Sequence, residues 1–502
     1  MPQRPFTREQ VFLLPPRLDE WIGPDHPVRL VAAWLEDLPM DTWSAMGIDL
    51  TPSARGEARY APQALLVIWV YGFMVGVRST RALETACRDQ LPFRWLSGNQ
   101  TPDHNTLSRF YRLHRDGFHH LFHASITYAV RHDLLDWGLQ AVDGTKLWAD
   151  ASGDRMLDAA QLARVAARVE AEIARLEAGV EVSEVAAPEA PASPGTFRHR
   201  TIRLPQRRQD LQALRDRIQR AQARLAEGRT KGNLTDPDAH QMMAQGVNRP
   251  SYNAQAVVRP LQDGGRLIVA IDVRTRADDH ELLPDLALQA TVRCEQPAAV
   301  TVADAGYHSG AVLTACADTS LPVVMPSPMR HRDAGPYGAE AFRHDPATDT
   351  LTCPEGIALR RWRSHKASEV RYGAPVIACQ TCPAKAACCP TSTRGRVIVR
   401  SVHHAVLARH RAQMTRPDCT TLHRRRKGMI EGVFGTLKTR HGGRRCLLRG
   451  LANVQAEWTL LATAFNLQTL VRHGLGKSLG TGVGPTVRIG LAGTSGASPL
   501  VC

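Results

Sequence analysis

Three carboxylates stand out by their surroundings. In AVDGTKLWAD, residues 141–150, Asp143 ends a short apolar run and is followed at once by Gly144. In AAVTVADAGYHSG, residues 298–310, a β-branched run ends in Asp304 and continues through Ala-Gly into a helix-compatible segment. That run reads as a buried strand presenting an acid at its C-terminal end, where ligand and catalytic groups of open α/β sheets sit. The third, Glu431, is the one acid among nine Lys and Arg between Arg424 and Arg449. A merely solvated basic helix does not account for an acid at its centre. On a helix, Lys427, Glu431 and Lys438 share a face with Phe434 adjacent, which leaves Val433 and Leu437 for a core. Carboxylates are hard oxygen donors suited to a divalent cation, and neighbouring lysines suit phosphates. Asp-Gly is also a common turn dipeptide, so at Asp143 a plain turn and a metal ligand both remain open.

The acids are 161 and 127 residues apart, so only a fold can bring them together. After Asp143 come two strand-like runs, SYNAQAVVRP at 251–260 and RLIVAIDVRT at 266–275, then an amphipathic helix around DDHELLPDLALQATV at 278–292, and then the Asp304 strand. Three strands, a crossover helix and a strand parallel to the first suit a mixed sheet. The right-handed crossover rule sets the first and fourth strands side by side, making Asp143 and Asp304 neighbours, with Glu431 delivered by a later helix on that edge.

The whole chain is consistent with a polyanionic target. It has 502 residues, 43% of them hydrophobic, enough for more than one domain. With 63 Lys and Arg against 48 Asp and Glu the net charge is +15, which favours nucleic acid over an anionic membrane surface. The longest strongly apolar run, ALLVIWVYGFMVGV at 64–77, is short for a bilayer, and MPQRPFTREQ lacks the apolar core of a signal peptide. A cytoplasmic, nucleoid-associated protein without a membrane partner is the expectation.

Taken together, VDGTKLWADAS, VADAGYHS and the helix with Glu431 followed seven residues later by Lys438 resemble the DDE transposases of bacterial insertion sequences. The resemblance extends to residues 59–110, to NLTDPDAHQMM and to SYNAQ, from about residue 5 to 472. It implies an α/β protein: a ribonuclease H-like mixed-sheet catalytic core, an N-terminal all-helical DNA-binding domain, a helical-hairpin insertion and a small cysteine-containing β insertion. It implies Asp143, Asp304 and Glu431 as catalytic metal ligands for Mg²⁺ or Mn²⁺. Two such ions roughly 3.5–4 Å apart clamp the attacking and leaving oxygens of an in-line displacement. Its partner is double-stranded DNA, at the element ends and the target, and synapsis of two ends would bring two copies together as a homodimer. The expected activity is metal-dependent strand cleavage and transfer in cut-and-paste transposition. The alternatives are an inactive or domesticated DNA-binding protein and another ribonuclease H-like nuclease. Where the family has Tyr and Arg ahead of the glutamate this chain has Arg424 and Lys427, and an ammonium lacks the bidentate fork of an arginine. Lys427, Lys438, Arg440 and Arg424 are the DNA-contacting residues expected beside the site, with Gly144 and Thr145 shaping it.

DNA recognition then falls to the N-terminal region, residues 1–132. STRALETACRDQ at 79–90 reads as an amphipathic helix and TPDHNTLSRFYRLHR at 101–115 as a capped turn into a second, a helix-turn-helix grammar. The second helix would offer Arg109, Arg112 and Arg115 to DNA, with Leu107 and Phe110 inward. The first core segments are 133–153 and 232–340. Between them, residues 154–231 carry Leu162, Val165, Val169, Ile173 and Leu176, and then Leu211, Leu214, Ile218, Ala221 and Leu225, at coiled-coil-like spacing. An antiparallel helical hairpin is expected, its Pro/Ala-rich connector EVAAPEAPASPG mobile. Residues 341–400 hold Cys353, Cys379, Cys382 and Cys388 or Cys389, with a C-x₂-C core that suits either a structural zinc or free thiols in a small β-insert. Residues 401–472 form the C-terminal helical part of the core. The tail 473–502 is glycine-rich, without apolar periodicity, and is expected to be disordered.

Overall fold

The structure, a computed structural model, describes residues 17–51, 59–178, 202, 204–244, 246–279, 281–327 and 335–475. The connector at 184–195 and the tail from 476 therefore lie outside the described residues. Helices build the N-terminal part: α1 (Pro27–Glu36), α2 (Met40–Ala45), α3 (Pro62–Val75), α4 (Thr80–Asp89), α5 (Leu91–Leu96), α6 (His104–His114) and α7 (Phe118–Arg131). Their starts follow local chemistry. Proline occupies an early position of α1, α3 and α5, while Ser79 and Asp103 cap α4 and α6 by accepting from Ala82 N and Thr106 N. The apolar run 64–77 becomes α3, buried almost all round, and ends at Gly76 in a left-handed conformation. No single described helix is long and apolar enough to cross a membrane; α3 and α4 pass only as a pair bent by 98°.

The mixed sheet follows. Strand β1 (Gln140–Trp148) leads, by way of the short pair β2 (Met156–Leu157) and β3 (Gly232–Asn233), to β4 (His240–Ala244), β5 (Val247–Pro260) and β6 (Arg266–Arg274). Between β2 and β3 stand α8 (Ala159–Glu177) and α9 (Arg208–Ala226). These two pack through the expected apolar seam, and the ion pairs Glu177–Arg208 and Glu170–Arg215 set them antiparallel. After β6, α10 (Leu282–Cys294) crosses to β7 (Thr301–Val302), and α11 (Gly310–Asp318) crosses to β8 (Val323–Val324). Strand β5 lies antiparallel between β1 and β6, while β7 and β8 run parallel to β1 on its other side; β4 pairs the start of β5. The side-by-side placement of the Asp143 and Asp304 strands is thus observed.

A second sheet, antiparallel throughout, comprises β9 (Arg343–Asp345), β10 (Thr350–Thr352), β11 (Ala358–Trp362), β12 (Glu369–Gly373) and β13 (Val397–Ser401), with α12 (Val376–Gln380) and α13 (Lys385–Cys388) between its last two strands. Three helices complete the chain: α14 (His404–Met414), α15 (Pro417–Thr439) and α16 (Leu451–Leu470). The last is buried on nearly every side, against α3, α7 and β6. It uses a side chain to finish the sheet: Asn466 accepts from Ile268 N at 2.8 Å and donates to Ile268 O at 2.8 Å, satisfying backbone that an edge strand leaves open.

Candidate active site

Asp143 does not turn the chain. It and Gly144 lie within β1, whose ladder with β5 runs unbroken from Ala141 opposite Val258 to Trp148 opposite Ser251. Glycine is required at 144 because a Cβ there would lie 2.4 Å from the Gln255 amide nitrogen and 3.1 Å from the Asn253 amide oxygen. Two side chains of β5 thus fill the space beside Asp143, a packing reason that the dipeptide alone cannot reveal.

The parallel ladder pairs Gln140 with Thr301 and Ala141 with Val302. Continued by two residues, that register sets Asp143 beside Asp304, just beyond the end of β7. The Asp304 carboxylate accepts from Gly306 N at 2.8 Å, folding the chain back over the strand end. Burial is the main reason that the Asp143 carboxyl is raised from 3.8 to about 6; Arg426 opposes the rise and the neighbouring Asp304 charge adds to it. Of the Asp143 oxygens, one accepts from Gly144 N at 2.8 Å and the other pairs with Arg426 Nη1 at 2.5 Å.

Helix α15 lies over this edge. Its stripe of Ile430, Val433, Phe434 and Leu437 is buried, and the turns on either side bring polar groups to the acids. His423 faces the Ala303–Asp304 segment, and burial there lowers its pKa. Lys438, half-buried, is held below the usual lysine range mainly by burial and feels Arg444 and Asp143. Glu431 is exposed, and among the described residues no hydrogen bond or ion pair joins it to either aspartate. Arg424, Lys427 and Arg440 are exposed as well. The basic residue that reaches Asp143 is therefore Arg426, one position before Lys427. Counting back from Glu431 could not single it out; which of four consecutive basic residues turns inward depends on how the helix is rotated against the sheet.

A third aspartate joins the pair. Asp279 accepts from the amides of Asn253 at 2.7 Å and Gln255 at 2.6 Å, and Lys146 Nζ stands 3.7 Å away. A Cβ on Gly306 would lie 2.9 Å from an Asp304 oxygen and 3.4 Å from an Asp279 oxygen, so the two carboxylates flank that glycine. The buried Tyr307 hydroxyl donates to the Gln255 carbonyl oxygen, closing a network under the site. The acidic ADDHE run at 277–281 was the available sequence signal for Asp279, but nothing in it singles out one acid.

The donor chemistry fits a divalent cation at Asp143 and Asp304, two hard carboxylates at a sheet's C-terminal edge. Among the described residues no group of three or more His, Cys, Asp or Glu is gathered closely enough to hold a metal ion, and this applies to the cysteines too. Cys353, Cys379, Cys382, Cys388 and Cys389 nevertheless line one cavity of about 20 Å³ under the second sheet. The Cys353 and Cys379 sulfurs accept from Ile357 N at 3.2 Å and Arg396 N at 3.4 Å, and burial pushes the Cys388 thiol up to about 11.

In the N-terminal helices, Leu107 and Phe110 are buried as expected, and Arg109 and Arg112 are exposed. Arg115 differs. It donates to the Asn453 side chain at the start of α16 and so serves packing between helices.

Two family models match this chain. One, described as a transposase DDE domain, covers residues 352–471; the other, described as a transposase domain (DUF772), covers residues 16–113. The first includes Glu431, Lys438 and the cysteine run, while Asp143 and Asp304 fall between the two matched segments. No curated protein matches the chain.

Proposed function

Because the two matched models indicate an insertion-sequence DDE transposase, we propose that this protein binds the ends of its element and catalyses metal-dependent strand cleavage and strand transfer of the cut-and-paste type. The observation that carries this reading is the placement of Asp143 and Asp304 side by side at one sheet edge, under a helix rich in Lys and Arg. A ribonuclease H-like core is supported by the strand order β6-β5-β1-β7-β8, in which β5 alone runs opposite to β1. Asp143, Asp304 and Glu431 would hold Mg²⁺ or Mn²⁺, which when bound polarises the scissile phosphate and activates the attacking oxygen.

The chain's own residues have distinct tasks in this reading. Arg426 keeps Asp143 ionised by its charge and occupies the cation's side of the carboxylate until DNA and metal arrive. Asp279, through Asn253 and Gln255, fixes the floor beside Gly144. Lys438, with Lys427, Arg424 and Arg440, holds backbone phosphates, while Arg109 and Arg112 meet DNA from α6. The helical region to residue 132 recognises DNA, the core spans 133–153, 232–340 and 401–472, and the hairpin and cysteine modules are insertions. A structural Zn²⁺ at Cys353, Cys379, Cys382 and Cys388, which line one cavity, would need these thiols to draw closer together around it. Two copies pair in synapsis.

The test is incubation of the full chain with labelled element-end DNA and Mg²⁺ or Mn²⁺. Cleavage at the end, lost in Asp143→Asn and Asp304→Asn, is expected. Binding without cleavage would favour a non-catalytic DNA-binding protein. Equal cutting of unrelated DNA in competition would favour a structure-directed nuclease.

A further inference from the structure

The chain beyond β1 builds a second charged site. Arg155, Arg217, Arg445 and Arg449 line one open pocket of about 470 Å³, together with Asp150 and Ser152. They come from three parts of the sequence: the segment after β1, helix α9 of the hairpin, and the loop between α15 and α16. Asp150 pairs with Arg445 at 2.7 Å and with Arg449 at 3.0 Å. Among the described residues neither Arg155 nor Arg217 forms a salt bridge; the charge of Asp210 acts on Arg217 from the same helix, and the Arg217 guanidinium donates to Ala213 O. Burial and the charges of Arg449, Arg155 and Arg220 together lower the pKa of Arg217, a sign of how closely the cations are crowded. Four guanidiniums around one carboxylate leave a surplus of positive charge that an anion neutralises.

The fold fixes this crowding. Asn233 at the hairpin root donates to Ser152 O at 2.8 Å, and Asp236 and Asp238 accept from Gly450 N at 3.2 Å and Leu451 N at 3.0 Å at the start of α16. Arg224 of α9 pairs with Asp238 at 2.8 Å. The loop side is tied equally, since Trp148 N donates to Arg444 O at 3.1 Å and Cys446 N to Trp148 O at 2.8 Å. The loop that carries Arg445 also carries Arg444, whose charge, like that of Asp143, acts on Lys438. Asp150 lies seven residues beyond Asp143, just past the end of β1, at most ~23 Å of extended chain, which is the span of about seven nucleotides on one strand of B-DNA.

We propose that the pocket of Arg155, Arg217, Arg445 and Arg449 binds a backbone phosphate of the DNA, at most about seven nucleotides from the phosphate held at Asp143 and Asp304, and that the helical hairpin contributes to DNA binding through Arg217. The inference rests on the transposase reading. It is tested with the full chain, by fluorescence anisotropy on labelled end DNA between about 50 and 200 mM salt. In Arg155→Ala/Arg217→Ala, affinity falls and the slope of log affinity against log salt shrinks by about two, while Arg155→Lys/Arg217→Lys keeps most of the slope. Circular dichroism and thermal unfolding confirm that each variant is folded. An unchanged slope in the folded double-alanine variant, with the wild-type chain binding DNA, overturns the pocket alone. A wild-type chain that binds no DNA overturns the transposase reading and this inference with it. Inorganic phosphate at matched ionic strength separates the two sources of phosphate. If phosphate binds wild type and not the variant while both bind DNA with the same affinity and salt slope, the pocket takes free phosphate and the proposal fails; phosphate that weakens DNA binding by wild type and not by the variant shows the two competing for the pocket, as proposed.

Discussion

Two buried arginine–carboxylate pairs, Arg78–Glu457 and Arg426–Asp143, show what distinguishes a strut from a site. In the first, the side chains are 7% and 4% exposed, and both carboxylate oxygens and both terminal guanidinium nitrogens are hydrogen-bonded. Glu457 accepts from Arg78, Leu447 N and Leu448 N, and Arg78 also donates to Gly442 O and Arg445 O. That pair locks the turn between α3 and α4 onto α16 and the preceding loop. In the second, 13% and 17% exposed, Asp143 has a second carboxylate beside it and Arg426 Nε finds no partner. A saturated pair resists change, whereas an under-coordinated pair flanked by a like charge has capacity for a cation and a phosphate.

Substitutions should separate the two. The largest effect is expected in catalysis: Asp143→Asn or Asp304→Asn should lower end cleavage by ~10³-fold or more, as loss of a metal ligand does, while gel-shift binding of end DNA persists. Persisting cleavage would make the Asp143 pair another strut. Next, Arg78→Ala should destabilise the chain by about 3–5 kcal/mol, because it strands a buried carboxylate, and chemical denaturation reads this directly.

The pH response gives the third contrast. The folded chain keeps the Asp143 proton up to about pH 6, whereas the unfolded chain releases it near 3.8. Ionisation of this group therefore opposes folding: the penalty grows as pH rises from about 4 to 6 and is complete above, on the order of 3 kcal/mol. Measured against Asp143→Asn, wild-type stability should fall across that window, and a flat difference would contradict the raised carboxyl. Fourth, Gly144→Ala should cost about 1–3 kcal/mol through overpacking against Gln255 and should impair cleavage by displacing the floor of the site; Gly428→Ala, in open space on α15, is the control. The smallest effect is expected from Arg112→Ala on exposed α6, which should flatten the salt dependence of DNA binding by about one unit.

Much of the scaffold was legible. Strand-like runs located β5 and β6, both buried almost continuously, and the 3-and-4 spacing of Leu162 to Leu225 gave both hairpin helices, because burial imprints itself on hydrophobic order. The site was legible in part. Asp143 and Asp304 stood out because each closes an apolar run, and the sheet sets their strands side by side. Arg426, Asp279, Gln255 and the Arg155–Arg217 pocket were not, since each gains its meaning from partners tens to hundreds of residues away. Arg115 illustrates the converse: helical spacing offered it to DNA, and Asn453 of another helix took it.

The sequence by itself determined a basic protein, a buried strand ending in an acid, a glutamate in a basic helix and a cysteine-rich insert, all consequences of local composition and period. Only the tertiary structure decided that Asp-Gly lies within a strand, that Arg426 and not Lys427 meets Asp143, and that Glu431 is exposed on α15. Those outcomes depend on sheet register and helix rotation, which are set by the packing of the whole core and are not encoded in any short stretch of it.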